Sequence, residues 1–448
     1  MSWATPVTPD PSGERAPVQK MKSQSRFAHL NFRLTFMDFV PQCINEGGLF
    51  TAPTFELFSA LVKKANDWLF GNPAMQVRTC ETIELHVPVG YTELDANRTS
   101  RSEYGKGRLM HIKALRMWIS PKSASDRSEP QTIRCINIVP KCIKEGFNGI
   151  EPEFDSIIVT LQKFNNIIRK EAIQGKIITV ETVKHMFTQW TGTLDADEST
   201  YVDKSSDQLC NLYTLRVYYI EGTSLFEELE MKDISPRKVE VKKKKVKFAG
   251  HSDTIDVVQT WLREQIGSRL ISIQSLEFQL TDAKLTENGV PNTGYSTYTR
   301  SLEEKGQTIL IHRIFLARPS RPTLSKPKLP PLLNCKTFVP VQLNKGNTET
   351  CPGFEGMAET MKRIIAWLNV TNVNIISTET VSVCLKKGKT IDADTLQWTY
   401  SNRKDKREFM LTIIRLYIDG QYFEPASNLL PPLPSTATDN EATICSIS

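Results

Sequence analysis

The stretch "VRTCETIELHV" at residues 77–87 has three counterparts in the same chain: "IITVETVKHMF" at 177–187, "LISIQSLEFQL" at 270–280 and "IISTETVSVCL" at 375–385. The alternation around Val77, Thr79, Glu81, Ile83 and Leu85 predicts a strand with one buried face. Copies recur roughly every hundred residues, too far apart for a solenoid repeat and close to the size of a small domain.

The repeat extends upstream of the strand. "FVPQCINEGG" (39–48), "IVPKCIKEGF" (138–147) and "FVPVQLNKGN" (338–347) open three of the copies. A second proline follows in each, at Pro53, Pro152 and Pro352, and then an aromatic and an acid: Phe55-Glu56, Phe154-Asp155 and Phe354-Glu355. Proline is tolerated in a first helical turn, and an acid there faces the positive end of the helix dipole. Phe55, Phe58, Leu61, Val62, Ala65, Trp68 and Leu69 have the spacing of a one-sided apolar stripe, so a helix is expected. Gly71 and Gly175 stand where such helices would stop. The third copy lacks the loop between the prolines and runs from "VKFAG" to Ser252, read as an N-cap.

Downstream of the quoted strand come a weaker strand and then a strong one: "MHIKALRMWI" (110–119), "NLYTLRVYYI" (211–220), "TILIHRIFL" (308–316) and "MLTIIRLYI" (410–418). The unit therefore reads β-α-β-β-β, and the fold class is α+β: four tandem modules, each with one helix laid on an antiparallel sheet, the third shortened. The expected organisation is a disordered tail at 1–35, modules at 36–122 and 133–223, and a charged linker at 224–238. A degenerate module at 239–318, a Pro-rich linker at 319–334, a last module at 335–421 and a disordered tail at 422–448 complete it.

Polar residues recur with the repeat. Arg116, Arg216, Arg313 and Arg415 occupy matching places in the strong strand. Glu81, Glu181 and Glu379 do so in the quoted strand, where Gln274 stands in the third copy. Strand pairing would set each Glu against its Arg as a structural ion pair that fixes register. A folding device is needed in every copy, whereas chemistry is usually retained in one. "LDAN" (94–97), "LDAD" (194–197) and "IDAD" (391–394) put two oxygen-bearing side chains on one loop. Calcium takes about six or more oxygens, so these read as turns. The six histidines show no metal-binding spacing, and His86 and His185 read as packing residues. No metal and no cofactor are assigned. Nucleophile elbows, phosphate-binding loops and dinucleotide fingerprints are missing, which turns the reading away from an enzyme.

Composition is that of an ordinary globular chain: 40% hydrophobic and 24% charged over 448 residues, with net charge +6. No run approaches the ~18 apolar residues of a spanning helix. The N-terminus has no apolar core of a signal peptide, and nine cysteines without a CxxC pair fit reduced thiols in the cytoplasm. The last four residues, Cys445-Ser446-Ile447-Ser448, match a prenylation motif whose terminal serine selects farnesyl. One such chain gives weak, reversible membrane contact through Cys445.

These features point to a non-enzymatic tandem-repeat scaffold with a protein partner. "KPKLPPLL" and "LLPPLP" are candidate ligands for proline-binding domains. Two rivals have identifiable residues. Nucleic acid would be held by the basic run Lys242, Lys243, Lys244, Lys245 and Lys247. An enzyme would need a pocket between modules with polar residues that break the repeat, and Gln274 marks the third copy as the place to look.

Overall fold

The computed structural model describes residues 33–48, 51–103, 109–146, 152–186, 194–202, 208–242, 245–280, 291–301, 306–321, 327–346, 351–385, 391–400 and 408–434. The first unit comprises β1 (Thr35–Phe39), β2 (Cys43–Asn45), β3 (Thr54–Phe55), α1 (Phe58–Gly71), β4 (Met75–Pro88), β5 (Ser100–Glu103) and β6 (Leu109–Pro121). The second repeats it with β7 (Ile133–Ile138), β8 (Cys142–Lys144), β9 (Glu153–Phe154), α2 (Ile157–Ile168), β10 (Gly175–Met186), β11 (Thr200–Val202) and β12 (Gln208–Glu221). The third has β13 (Glu227–Ile234), β14 (Lys238–Lys242), β15 (Lys245–Phe248), α3 (His251–Leu262), β16 (Arg269–Gln279), β17 (Thr297–Ser301) and β18 (Gly306–Pro319). The fourth has β19 (Leu333–Phe338), α4 (Met357–Thr371), β20 (Asn374–Cys384), β21 (Gln397–Tyr400) and β22 (Glu408–Asp419).

The chain is mostly β, with four antiparallel sheets set as blades in a ring that resembles a small β-propeller. The quoted strands β4, β10, β16 and β20 are innermost, and each touches the next around the axis. Each pairs along its length with the strong strand of its own unit, and all four carry a bulge at the same place, between Val77 and Thr79 and at its three equivalents.

The weak strand does not stay in its own unit, and here the β-α-β-β-β reading is corrected. β11 pairs with β6, β17 with β12, β21 with β18, and β5 with β22. Every unit hands one strand back to the blade before it, and the first unit closes the circle by handing β5 to the fourth blade. A short strand carries too few contacts to be assigned to a sheet by its pattern; the outer strand position left vacant beside the start of each strong strand decides it.

The helices also bridge blades. α1 packs Phe58, Leu61 and Leu69 against its own Leu115 and against Ile133 and Tyr218 of the second blade. α2 and α3 meet Leu229 and Phe315, and Leu333 and Tyr417, of their following blades. α4 completes the ring on Leu34 and Trp118 of the first. Asn66 of α1 clasps the backbone N–H and C=O of Ile133 (2.8 and 3.0 Å), and Asn165 of α2 does the same to Leu229 (2.9 and 2.8 Å).

Several local expectations also change. Residues 224–238, read as a linker, contain β13, the outer strand of the third blade. Its acidic residues disguised it because it is an edge strand, with Asp233 turned to Arg313. The third unit is two residues shorter between β13 and α3 than the others are between the matching strand and helix, yet it keeps the element there: the tight hairpin β14–β15 stands where the first two units have β2–β3 and β8–β9. α3 is capped at Gly250, two residues before Ser252. Gly175 lies beyond the end of α2 at the start of β10, at φ +154°, where a Cβ would meet the Ile220 carbonyl oxygen at 2.0 Å. The first part of the 422–448 tail is packed: Tyr422 lies edge-on to Trp367, 5.2 Å between ring centroids. Residues 1–32 and 435–448, including Cys445, lie outside the described residues.

Candidate functional site

The axis of the ring has two levels. At the first, all four blades present the same side chains. Glu81 stands opposite Arg116, Glu181 opposite Arg216, Gln274 opposite Arg313 and Glu379 opposite Arg415. Their main partners, however, come from elsewhere. Glu81 accepts from the Thr380 N–H (2.8 Å) and hydroxyl (2.7 Å). Glu379 accepts from the N–H and hydroxyl of Ser275. Gln274 accepts from the Thr182 N–H (2.7 Å) and donates to its carbonyl (2.9 Å). Glu181 accepts from the N–H and hydroxyl of Thr82. The result is a closed circuit of hydrogen bonds, one blade to the next.

Each arginine reinforces the same junction. Arg116, Arg216, Arg313 and Arg415 donate from Nη1 to Thr380, Thr82, Thr182 and Ser275 at 2.8–3.0 Å. On their outer side Arg116 and Arg313 make two-pronged ion pairs with Asp38 and Asp233, while Arg216 bonds Asn137. Only Arg415 has the facing residue of the innermost strand as an ion-pair partner among the described residues, Glu379 at 3.7 Å. Burial pushes the Glu81 and Glu181 carboxyls up, against the pull of Arg116 and Arg216.

The Asp-x-Asp loops serve the same closure. Asp95, Asp195 and Asp392 each accept from the N–H two residues on, which makes an Asx turn. The next polar residue caps the helix of the preceding unit. Asp197 accepts from the Ser59 N–H (2.8 Å), Asp394 from the Ser252 N–H (2.7 Å) and Asn97 from the Ala358 N–H (2.8 Å). The third unit has Gly294 at this place, and α2 alone among the four helices supplies its own cap, Ser156.

The second level, toward the ends of β4, β10, β16 and β20, is different in every blade. It opens into a cavity of about 580 Å³ lined mainly by the first and fourth blades, with Tyr91, Glu93, Arg98, Lys184, Glu277 and Glu408 among its walls. Where the first blade has Glu84, His86 and His111, the second has Lys184, Met186 and Asn211. The third has Glu277, Gln279 and Thr308, and the fourth Ser382, Cys384 and Met410.

Glu84 and His86, two residues apart, share a face of β4, and His111 on β6 is directly opposite His86. Glu84 Oε1 lies 2.5 Å from His111 Nδ1 and 3.1 Å from His86 Nε2. Tyr201, on the donated strand β11, donates to the same oxygen at 2.7 Å and stacks on His111, centroids 4.6 Å apart. Burial, then Arg101 and His111, hold His86 down to about 3, so its ring is neutral at neutral pH. Burial would raise the Glu84 carboxyl, but Lys184 and the bond from His111 outweigh it and keep it well below its ordinary range. Behind the cluster, Lys113 bonds His185 at 3.2 Å, and burial first, then Arg216, pulls its ammonium down to about 7.

Glu84 and His111 were not among the residues singled out from sequence, and His86 was read as packing. The signal was present. With Glu81 opposite Arg116, five residues forward on one strand and five back on the other place His86 against His111. Polar residues that break the repeat occur at this level in the first blade, while Gln274, the residue that marked the third copy, belongs to the hydrogen-bond circuit. Of the basic run, Lys242 and Lys245 pair at the end of hairpin β14–β15 and Lys247 is exposed on β15; Lys243 and Lys244 lie outside the described residues.

No helix among the described residues is long and apolar enough to cross a membrane. In comparisons with known proteins, no family model, no curated protein and no solved structure matches the chain.

Proposed function

We propose that the chain is a non-enzymatic scaffold: a closed ring of four blades that receives a protein partner at the mouth of its axial cavity. The observation that carries this reading is the contrast between the two axial levels. Glu or Gln, Thr or Ser, and Arg recur in all four blades at one level, where they hold the ring together. At the other level each blade has its own residues, which is how a common frame is fitted to one ligand. Binding residues commonly sit on loops positioned by a fixed framework. Tyr91, on the loop after β4 and 61% exposed, supplies an aromatic anchor at the mouth, beside the exposed Glu93.

Farnesylation of Cys445 remains part of the proposal. A single lipid would give reversible membrane contact and leave the partner to supply the second attachment.

The test is affinity capture from the native source with three forms of the chain. The unaltered protein should retain a specific partner. Tyr91→Arg with Glu93→Lys should lose it, and Phe70→Arg, exposed at the end of α1, should keep it. Capture equal in all three forms, or none with the unaltered protein, would overturn the reading.

A further inference from the structure

We infer that Glu84, His86 and His111 form a binding site for one divalent transition-metal ion of the zinc type, at the wall of the axial cavity. The inference rests on the reading of this level as the functional end of the ring, and it specifies what is held there.

Geometry comes first. One ligand atom from each of the three residues lies within 4.8 Å of the other two. Two imidazoles and a carboxylate with a fourth position left to solvent or ligand are a known zinc set, and imidazole selects zinc, copper and nickel over magnesium and calcium. The ligands come from two paired strands rather than from a loop, so their spacing is fixed by register.

The surroundings suit a metal as well. Tyr201 orients Glu84 by a hydrogen bond and His111 by stacking, as residues behind the ligands do in metal sites. The His86 side chain is 9% exposed, and Nε2, 3.1 Å from Glu84 Oε1, is its nitrogen turned to that carboxylate. Lys184 and Arg101 lie close enough to act on this cluster. They lower its appetite for a bare cation and favour an anionic fourth ligand such as hydroxide or a carboxylate.

A second cluster is the natural control. His251 contacts His312 at 3.0 Å and Cys335 at 3.3 Å, but through its two different nitrogens. That arrangement is a linear hydrogen-bonded chain, in which one imidazole separates the other two groups, and it cannot gather three ligands on one ion.

The experiment uses the full chain, freed of metal by a chelator and then titrated with zinc or cobalt chloride. Bound metal is counted by elemental mass spectrometry, and the cobalt form is examined for the visible absorption of a tetrahedral site. One zinc per chain is expected, together with that absorption. Glu84→Gln and His111→Asn should weaken zinc by more than about 100-fold, and Tyr201→Phe by about tenfold. Cys335→Ser should bind as the unaltered protein does. If His111→Asn does not fold, Glu84→Gln and Tyr201→Phe decide the matter. Failure of the unaltered chain to take up one equivalent, equal uptake by Glu84→Gln, or loss of uptake in Cys335→Ser would each overturn the inference. These measurements need no partner, so a negative result leaves the capture experiment standing and the reverse also holds.

Discussion

Replacing Arg216 by methionine tests how the ring is held. Its side chain is fully buried and donates to Asn137 (2.8 Å), Thr82 (2.8 Å) and the Ala196 carbonyl (3.0 Å). Each net bond contributes about 1 kcal/mol, so three account for roughly 3. The change also takes Arg216 away from the buried Glu181 and leaves Asn137 Oδ1 without its donor, and an unsatisfied buried group costs about 1–3 kcal/mol. The expected loss is therefore about 3–5 kcal/mol in urea unfolding, followed by circular dichroism. Glu181→Gln should be milder, because Gln274 already makes the corresponding junction with both its acceptor and its donor. Combined with Arg216→Met it should restore part of the loss. The pH dependence has a definite sign. The folded-state pKa of Glu181 is raised and rises further without Arg216, so the folded form of the variant binds the proton more tightly than the unfolded form. Its deficit is then smallest near the unfolded value of about 4.3 and grows as pH rises. A loss under about 1 kcal/mol, or strict additivity of the two substitutions, would refute the circuit as a source of stability.

Other expectations follow from the same geometry. Asp394→Ala should cost about 1 kcal/mol by uncapping α3 from across the junction, and Ser156→Ala a similar amount at α2, both read from urea midpoints. Burial depresses His86 and His312 to about 3 and His185 and His251 well below their ordinary value. Stability should be fully present above the unfolded histidine value of about 6.5 and fall as pH drops below it, by up to about 1.4 kcal/mol per pH unit for each histidine. His312→Gln should remove one proton from that dependence; an unchanged slope would contradict it. Intact mass of the chain from eukaryotic cells should show a farnesyl group with loss of the last three residues, and no such gain in Cys445→Ser; an unmodified C-terminus would end the lipid reading.

The sequence showed the period, the innermost strand, the strong strand and the helix, because each carries a long apolar pattern. It also put Glu81, Glu181 and Glu379 beside their arginines. What it hid is the exchange between units. Thr82, Thr182, Ser275 and Thr380 follow the repeated Glu or Gln in every copy, yet nothing in a strand pattern says that such a hydroxyl serves the neighbouring blade. The same is true of Asp197 and Asp394, whose role as caps for α1 and α3 depends on a contact more than a hundred residues away. β13 was lost because Glu227, Glu228, Glu230, Lys232 and Asp233 make an edge strand look like a linker. The cluster of Glu84, His86 and His111 follows from the register of β4 on β6, which spacing along the chain does not display.

Closure of the ring by the first unit's strand on the fourth blade is the claim on which the cavity and its site depend. β5 and β22 place Ser102 opposite Phe409. Cysteines at these two positions, oxidised and located by peptide mass spectrometry, test it directly, since a disulfide needs Cα atoms within about 7 Å. The account predicts one intramolecular bond between residues 102 and 409 in the monomeric chain. Free thiols under oxidising conditions, or bonds only between chains, would contradict it.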